Sequence, residues 1–496
     1  MKSTVVLALD IGTSSTRAAI YDARGDRLVE TTAQVEYPLH AGTDGKAELD
    51  PRDIARAAER VIAASLAAWR KLGRREEIAG IGVSCFWHSL LGLDAQGKPL
   101  TPIYTWADSR CRREAEALRK NRAEEISHAR TGCMTRTSFW PPKLRWLRRA
   151  EPRLFRAVSH WVSPAEYIQQ QWCGAASASL SMASGTGLLN GHTLRWDAPQ
   201  LRRAGIQLSQ LSPLSDAPLK IAAARARKFP ELAGARWFAA IGDGAASNLG
   251  SGAVAPGIAA INVGTSAALR VVVRAGANEK KLLAPFGLFA YRVDSARRLV
   301  GGAVSNAGNL RAWALRELKL PADLAEQEKL LAARTTPAPG LTLLPFWIAE
   351  RAPTWPEAVP SAVVGITQAT GALDILQALQ EATYHRLAQI ADGVEKAAGR
   401  RLTFIVSGGI QRSASALQRL ANVLGRPVYA SSEPEASLRG AACFALEGLG
   451  LKPAAPKLGR LIRPQVASAR AYADARVRQT ELEALFRGSR FPLSSR

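Results

Sequence analysis

Cysteine and histidine are scarce in this chain, five of the former and six of the latter in 496 residues. The cysteines (Cys85, Cys111, Cys133, Cys173, Cys443) lie far apart, with no C-x-x-C pair and no histidine at ligand spacing. This excludes a structural zinc site and a disulfide framework, and it points to a reducing, cytoplasmic compartment. Long hydrophobic runs are also missing. No stretch reaches the roughly 18 apolar residues of a membrane span. The N-terminal MKSTVVLALD, one lysine and an apolar run broken by Asp10, is too short and polar for a signal peptide. Acidic residues are outnumbered, 42 against 66 basic ones, for a formal charge of +24. Such a field favours anionic ligands and nonspecific contact with nucleic acid. The basic residues are nevertheless spread along the chain. Their densest cluster, KLRWLRRAEPRLFR (143–156), is interrupted by Leu144, Trp146, Leu147 and Leu154 and reads as a basic-faced amphipathic helix. No nucleic-acid-binding motif accompanies it, so specific nucleic-acid recognition is not expected.

Two common nucleotide signatures are absent as well. There is no G-x-x-x-x-G-K-[ST] loop, and no G-x-G-x-x-G follows a strand, so nucleotide binding would have to be built from two lobes. What is present is the length and composition of a soluble globular protein of two to four domains, 47% hydrophobic and 22% charged. TVVLAL (4–9) is apolar without alternation, as in a strand buried on both faces. TRAAIYD (16–22) and DRLVETTAQVEY (26–37) read as further strands, joined through Ala23-Arg24-Gly25-Asp26. Asp50-Pro51 is a helix cap with proline at the first helical position, and Ile54, Val61, Ile62, Leu66 and Trp69 recur at helical spacing until Gly73. Further on come a long helix around 374–397, a strand LTFIV (402–406) and the turn Ser407-Gly408-Gly409. A helix over 413–424, a strand RPVYA and a last glycine-bounded helix complete a βαβα order.

An internal echo organises the rest. LALDIGTSSTRAAIYD and AAINVGTSAALRVVVR (259–274) share an apolar strand, an Asp or Asn, Gly-Thr-Ser and a second apolar strand. Two copies about 250 residues apart predict two homologous lobes with a cleft between them. IGDGAASNLGSGAVAPG (241–257), with five glycines, reads as the lobe boundary and a hinge, dividing the chain into 1–248 and 249–496.

A strand ending in Gly-Thr-Ser offers backbone N–H groups and hydroxyls to phosphate oxygens. Asp10 beside such a turn suits a hydrated Mg²⁺, and Arg17 suits charge on a transferred group. A plain hairpin turn with a capping aspartate would use the same residues. Asp243, between Gly242 and Gly244, could accept the proton of an attacking hydroxyl, although Gly-Asp-Gly is also an ordinary turn. Trp87 and His88 end one expected strand, and Trp106, Asp108 and Arg110 follow the next. Tryptophans beside polar side chains suit a polyol or sugar. A lone histidine is more often structural, and Trp106 serves equally as core or as contact.

Seven segments in order then resemble the FGGY family of carbohydrate kinases: Asp10 to Arg17, Gly97 to Arg110, Lys143 to Leu147, Ser184 to Leu189, Gly242 to Gly244, Gly264-Thr265, and Ser407 to Gly409 leading to Leu424–Val428. The resemblance covers nearly the whole chain. It implies an α/β fold of two ribonuclease-H-like (actin, Hsp70 and sugar-kinase) lobes around a nucleotide cleft, and ATP-dependent phosphorylation of a sugar hydroxyl. By that analogy Asp243 is the base and Asp10 organises Mg²⁺. Gly12, Thr13 and Ser14 form the first phosphate loop, and Gly264 and Thr265 the second. Gly308, Gly409 and Ser413 line the adenine and ribose pocket, and Trp87, His88 and Trp106 read the substrate. The segments H-S-L-L-G-L-D, T-W-A-D-S-R and S-G-T-G-L-L most resemble the gluconokinase-like branch. A pentulose kinase, or a catalytically silent two-lobed regulator, is the alternative, and a homodimer is compatible with either. CFWHS, Trp140-Pro141, Glu166 and Asn190 depart from the family pattern and bear on the substrate, not on the nucleotide machinery.

Overall fold

The computed structural model describes residues 4–274, 283–356 and 359–488. Lys2, part of the N-terminal segment weighed above, lies outside them. The first half builds a seven-stranded sheet from β1 (Thr4–Ile11), β2 (Ser15–Tyr21), β3 (Arg27–Glu36), β4 (Glu77–Cys85), β5 (Leu219–Lys220), β6 (Arg236–Trp237) and β7 (Ile241–Gly242). Its order is β5-β6-β4-β1-β2-β3, with β7 paired to the end of β4. β1 is antiparallel to β2 and parallel to β4. Every residue of β1 from Val5 to Ile11 is buried, as its unalternating sequence predicts.

Helix α1 (Pro51–Lys71) starts as its sequence requires: the Asp50 carboxylate accepts from Arg52 N at 2.8 Å, and Pro51 occupies the first turn, where no N–H is needed. Ile54, Val61, Ile62, Leu66 and Trp69 form its buried stripe against the sheet. The basic cluster does not form one helix. α2 (Trp140–Ala150) stops at Glu151, and Pro152, which disfavours helix at the residue before it and has no N–H to continue one, opens a separate short helix. Lys143 leaves the basic face altogether. It is buried and donates from Nζ to Thr137 O at 2.6 Å and Ser138 O at 2.8 Å. α3 (Pro164–Cys173) begins with a full capping box between Ser163 and Glu166.

The expected hinge is a helix. α4 (Asp243–Gly250) begins at the centre of the glycine-rich segment. Its glycines serve close packing: a Cβ on Gly250 would lie 1.8 Å from Ala436 O.

The second half repeats the plan in seven strands: β8 (Ile258–Val263), β9 (Ala267–Arg274), β10 (Phe289–Arg292), β11 (Arg297–Val304), β12 (Thr403–Ser407), β13 (Val428–Ala430) and β14 (Leu461–Ile462), ordered β10-β11-β9-β8-β12-β13-β14. β8 is antiparallel to β9 and parallel to β12, as β1 is to β2 and β4. The echo in sequence is thus an echo in topology. The helices are α5 (Gly308–Glu317), α6 (Leu324–Ala332), α7 (Ala372–Ala398), α8 (Ala414–Leu424), α9 (Ala436–Gly448) and α10 (Val466–Gly488). α7 and α8 cover the second sheet.

α9 does something the sequence order does not suggest. Leu438, Ala441, Ala442, Ala445 and Leu446 pack on Val6, Ala8, Ala19, Tyr21 and Phe238 of the first sheet. Backbone meets backbone there: a Cβ on Gly82 would lie 2.0 Å from Ala441 O, and one on Gly440 would lie 1.8 Å from Ala246 O. No described helix is long and apolar enough to cross a membrane.

Candidate active site

Asp10 sits near the end of β1, in register with Arg17 of β2 and Ser84 of β4. Asn262 holds the matching place in β8 and bonds Ser407 of β12 from Nδ2 at 3.0 Å. The carboxylate of Asp10 is not alone. Arg17 donates from Nη2 to Asp10 at 2.8 Å and from Nη1 to Glu435 at 2.7 Å. Burial raises the Asp10 carboxyl above the usual range, and the Arg17 guanidinium opposes that rise. Arg17, expected to neutralise charge on a transferred group, is here paired with two protein carboxylates.

The turn after Asp10 closes with Gly12 N donating to Ser15 O at 2.9 Å, and Tyr37 Oη buttresses it by donating to Gly12 O at 2.5 Å. Thr13 is half-buried and Ser14 exposed, and neither hydroxyl has a partner among the described residues. In the second copy, Gly264 N donates to Ser266 O at 2.9 Å, and Gly308 N, at the start of α5, donates to Gly264 O at 2.9 Å. Gly308 has to be glycine there, because a Cβ would stand 2.5 Å from Gly264 O. Gly408, with φ +92°, lies against Val263 O in the same way, and Gly409 follows it in a single 3₁₀ turn. Arg17, Asn262, Ser407, Gly408 and Glu435 line one cavity of about 410 Å³. Ser413 departs from expectation. Its hydroxyl caps α8 by accepting from Ala416 N at 3.0 Å and donates to Glu328 of α6 at 2.6 Å, so it fixes two helices.

Asp243 opens α4 at the end of β7, its carboxylate accepting from Gly244 N at 2.8 Å. The side chain is open to cleft water yet hemmed in by protein. That desolvation raises its carboxyl, Arg270 opposes the rise, and the charge of Asp10, on the other side of β4 in the same sheet, adds to it. Trp87, expected to read the substrate, packs as a wall under this helix start. It is 5% exposed, its Nε1 donates to Ser181 O at 3.0 Å, and a Cβ on Gly242 would fall 1.8 Å from its ring.

His88 takes φ +68°, which turns its ring back toward Gly185 O, 2.5 Å from Nδ1. A carbonyl accepts only, so Nδ1 carries the proton and Nε2 is left as an acceptor. Burial holds the imidazole at about 4, neutral at physiological pH. Phe139 and Tyr291 frame it at 4.7 and 5.4 Å between ring centroids. Trp106 is 41% exposed, and its backbone N–H donates to Ser89 Oγ at 3.1 Å. Arg270, Tyr291, Arg351, Glu328 and Glu435 are near these groups and had not been singled out. Only Glu435 carries a local signal, directly before α9 in SSEPEAS.

Paired lobes of one topology, each ending a strand in a Gly-Thr-Ser turn beside a shared cavity, define a two-lobed phosphotransferase. Family models identify which: the N-terminal-domain model of the FGGY family of carbohydrate kinases matches residues 5–250, and its C-terminal-domain model matches residues 259–448. The chain belongs to that family, and it is a kinase acting on an alcohol group of a carbohydrate. A gluconokinase of Bacillus subtilis is 27% identical over 465 residues, 90% of this chain and 88% of that one. A glycerol kinase of Alkalilimnicola ehrlichii is 31% identical over 469 residues, 91% of each. The crystal structure of a gluconate kinase from Lactobacillus acidophilus superposes with a TM-score of 0.89 at 25% identity, over 98% of this chain and 99% of that one. A ligand-bound xylulose kinase from the same organism gives 0.89 at 26% identity, with the same coverage.

Proposed function

We propose that this kinase transfers the γ-phosphoryl group of ATP to a hydroxyl of a gluconate-like sugar acid. The observation that supports it is the placement of Asp243 at the first residue of α4, held from below by Trp87 and facing Asp10. The gluconokinase and gluconate kinase relatives support the substrate class.

In this reading the sugar lies between His88 and Asp243. Nε2 of His88 accepts a hydrogen bond from one substrate hydroxyl, and Trp106 covers the outer side. Asp243 accepts the proton of the attacking hydroxyl as its oxygen bonds the γ-phosphorus and the bond from that phosphorus to the β,γ-bridging oxygen breaks, releasing ADP. The amides and hydroxyls of Gly12, Thr13, Ser14, Gly264 and Thr265 hold phosphate oxygens, and Gly308 and Gly409 let the nucleotide approach the backbone. Asp10 and Asp243, at strand ends on either side of β4, repel one another, and a hard dication that uses few carboxylates fits there. Among the described residues no cluster of three or more His, Cys, Asp or Glu could hold a metal. Asp10 would therefore hold Mg²⁺ mainly through its water shell and the phosphates, and the ion would supply charge neutralisation at the β- and γ-oxygens.

The test is ADP release measured over a panel of aldonates, ketoses and polyols. Sugar-stimulated turnover, greatest on an aldonate, is expected. Asp243→Asn should bind ATP and sugar while losing about 100-fold or more in turnover. Near-normal turnover of that variant would remove Asp243 from the role of base. Absence of sugar-stimulated turnover in the wild type would mark a silent nucleotide- or sugar-binding protein.

A further inference from the structure

Beside the cleft, two guanidinium groups keep N–H donors that no group among the described residues accepts. Asp10, Arg17 and Glu435 form a closed set. Glu350 is likewise occupied, accepting from Ser305 N at 2.5 Å, Asn306 N at 3.3 Å, Asn306 Nδ2 at 3.0 Å and Arg351 N at 2.8 Å. What remains are two guanidinium groups, Arg270 and Arg351. Arg270 projects from β9 against the backbone of Gly244, close enough that a Cβ there would stand 2.9 Å from its Nε. It makes no hydrogen bond and no ion pair among the described residues. Arg351 is anchored on one side only, donating from Nε to Ser305 Oγ and from Nη2 to Val304 O, both at 3.1 Å. Its Nη1 is left without a partner.

These two cations repel each other, and burial disfavours the charge on each. Arg270 faces Asp243 and Tyr291, and Arg351 faces Glu350, Tyr291 and His88. Tyr291, stacked on Phe289 at 4.5 Å and beside Trp87 at 4.8 Å, has a hydroxyl with no partner among the described residues. Asp243 beside Arg270 and Glu350 beside Arg351 offset the two charges, but neither carboxylate accepts a hydrogen bond from these guanidinium groups, and buried N–H donors without an acceptor are unfavourable in the free protein. A ligand that brings acceptor oxygens relieves it.

We propose that Arg270 and Arg351, with the Tyr291 hydroxyl between them, form a clamp for the carboxylate of the sugar-acid substrate. This rests on the kinase reading above and assigns its substrate class to named residues. Planar guanidinium forks match a carboxylate, which a lysine in either place would not do.

The test compares gluconate with gluconamide, which keeps every hydroxyl and replaces the charged oxygen with NH₂. Calorimetric affinity without nucleotide is measured for the wild type, Arg351→Gln and Arg270→Lys, with melting curves to verify folding. The ratio of gluconate to gluconamide affinity should fall about 10- to 100-fold in Arg351→Gln, the range of a lost charge-assisted pair. Arg270→Lys, which keeps the charge but loses the fork, should fall less. An equal loss for both ligands would overturn the clamp and assign the guanidinium to the transferred phosphoryl group or to folding. A wild type that binds the two equally well would overturn it too. If gluconate binds through the clamp and no sugar stimulates ADP release, the kinase reading fails and the clamp stands.

Discussion

Replacing Gly242 by alanine is the sharpest probe of how Asp243 is held. Gly242 has φ −66° and ψ 147°, a conformation open to any residue, so the backbone does not demand glycine. The obstacle is Trp87. The added Cβ would lie 1.8, 2.2 and 2.3 Å from its Cε2, Cδ2 and Cζ2, where ordinary carbon contacts begin near about 3.5 Å. The indole would have to retreat by more than about 1 Å, and it is pinned by Ser181 O at 3.0 Å and by Tyr291 at 4.8 Å. Overpacking costs about 1–3 kcal/mol and a broken hydrogen bond about 1 kcal/mol more, so a loss of roughly 2–4 kcal/mol is expected. Asp243 is the next residue, and a displacement of about 1 Å there should lower turnover about 100-fold. Urea unfolding and coupled ADP release measure the two effects. Trp87→Leu leaves a cavity that receives the methyl group, so Gly242→Ala should cost at least about 1 kcal/mol less in that background. Effects that add within about 0.5 kcal/mol would refute the steric account.

His88 should make the fold acid-sensitive. Its folded value of about 4 lies below the usual 6.5, so the unfolded chain binds a proton that the folded protein refuses. Stability is then lost as pH falls from 6.5 toward 4, by about 2 kcal/mol at pH 5, and His88→Gln should remove that part of the pH dependence of the urea midpoint. Ser413→Ala should cost about 1 kcal/mol of stability through the lost cap while nucleotide KM stays within about threefold; a KM change far beyond that would return Ser413 to the nucleotide pocket. The acid limb of kcat/KM should lie above the ordinary aspartate range, since burial raises Asp243. It should move higher still in Arg270→Gln, because the guanidinium opposes that rise.

How legible these features were depends on whether their cause is local. The Gly12 and Gly264 turns, the Asp50 cap and the parallel placement of Asp10 and Asn262 follow from short segments, and the sequence showed them. The five glycines of 241–257 were read as flexibility because a sequence does not reveal what a missing Cβ makes room for. Gly242 and Gly250 make room for Trp87 and Ala436 O. The packing of Trp87 is hidden for the same reason: His88 and Ser89 follow it in the chain, but Gly242, Ser181 and Tyr291 hold it in space. Arg270 and Arg351 come near Tyr291 only because β9 and the segment beyond α6 converge there, bringing together residues 81 positions apart. Ser413 resembled a pocket residue until Glu328 occupied its hydroxyl.

The seating of α9 on the first sheet bears on how the protein could be cut. The family's two models part at residues 250 and 259, which invites expression of each half by itself. A fragment ending there would present Val6, Ala8, Ala19, Tyr21 and Phe238 as a bare apolar face, with glycine at position 82 shaped for a backbone it no longer has. Such a face is a site for aggregation. The complementary fragment would carry α9 as an amphipathic helix without a floor. Mixed together, the halves would hold the complementary surfaces of one interface, Leu438 to Leu446 on one piece and Val6 to Phe238 on the other.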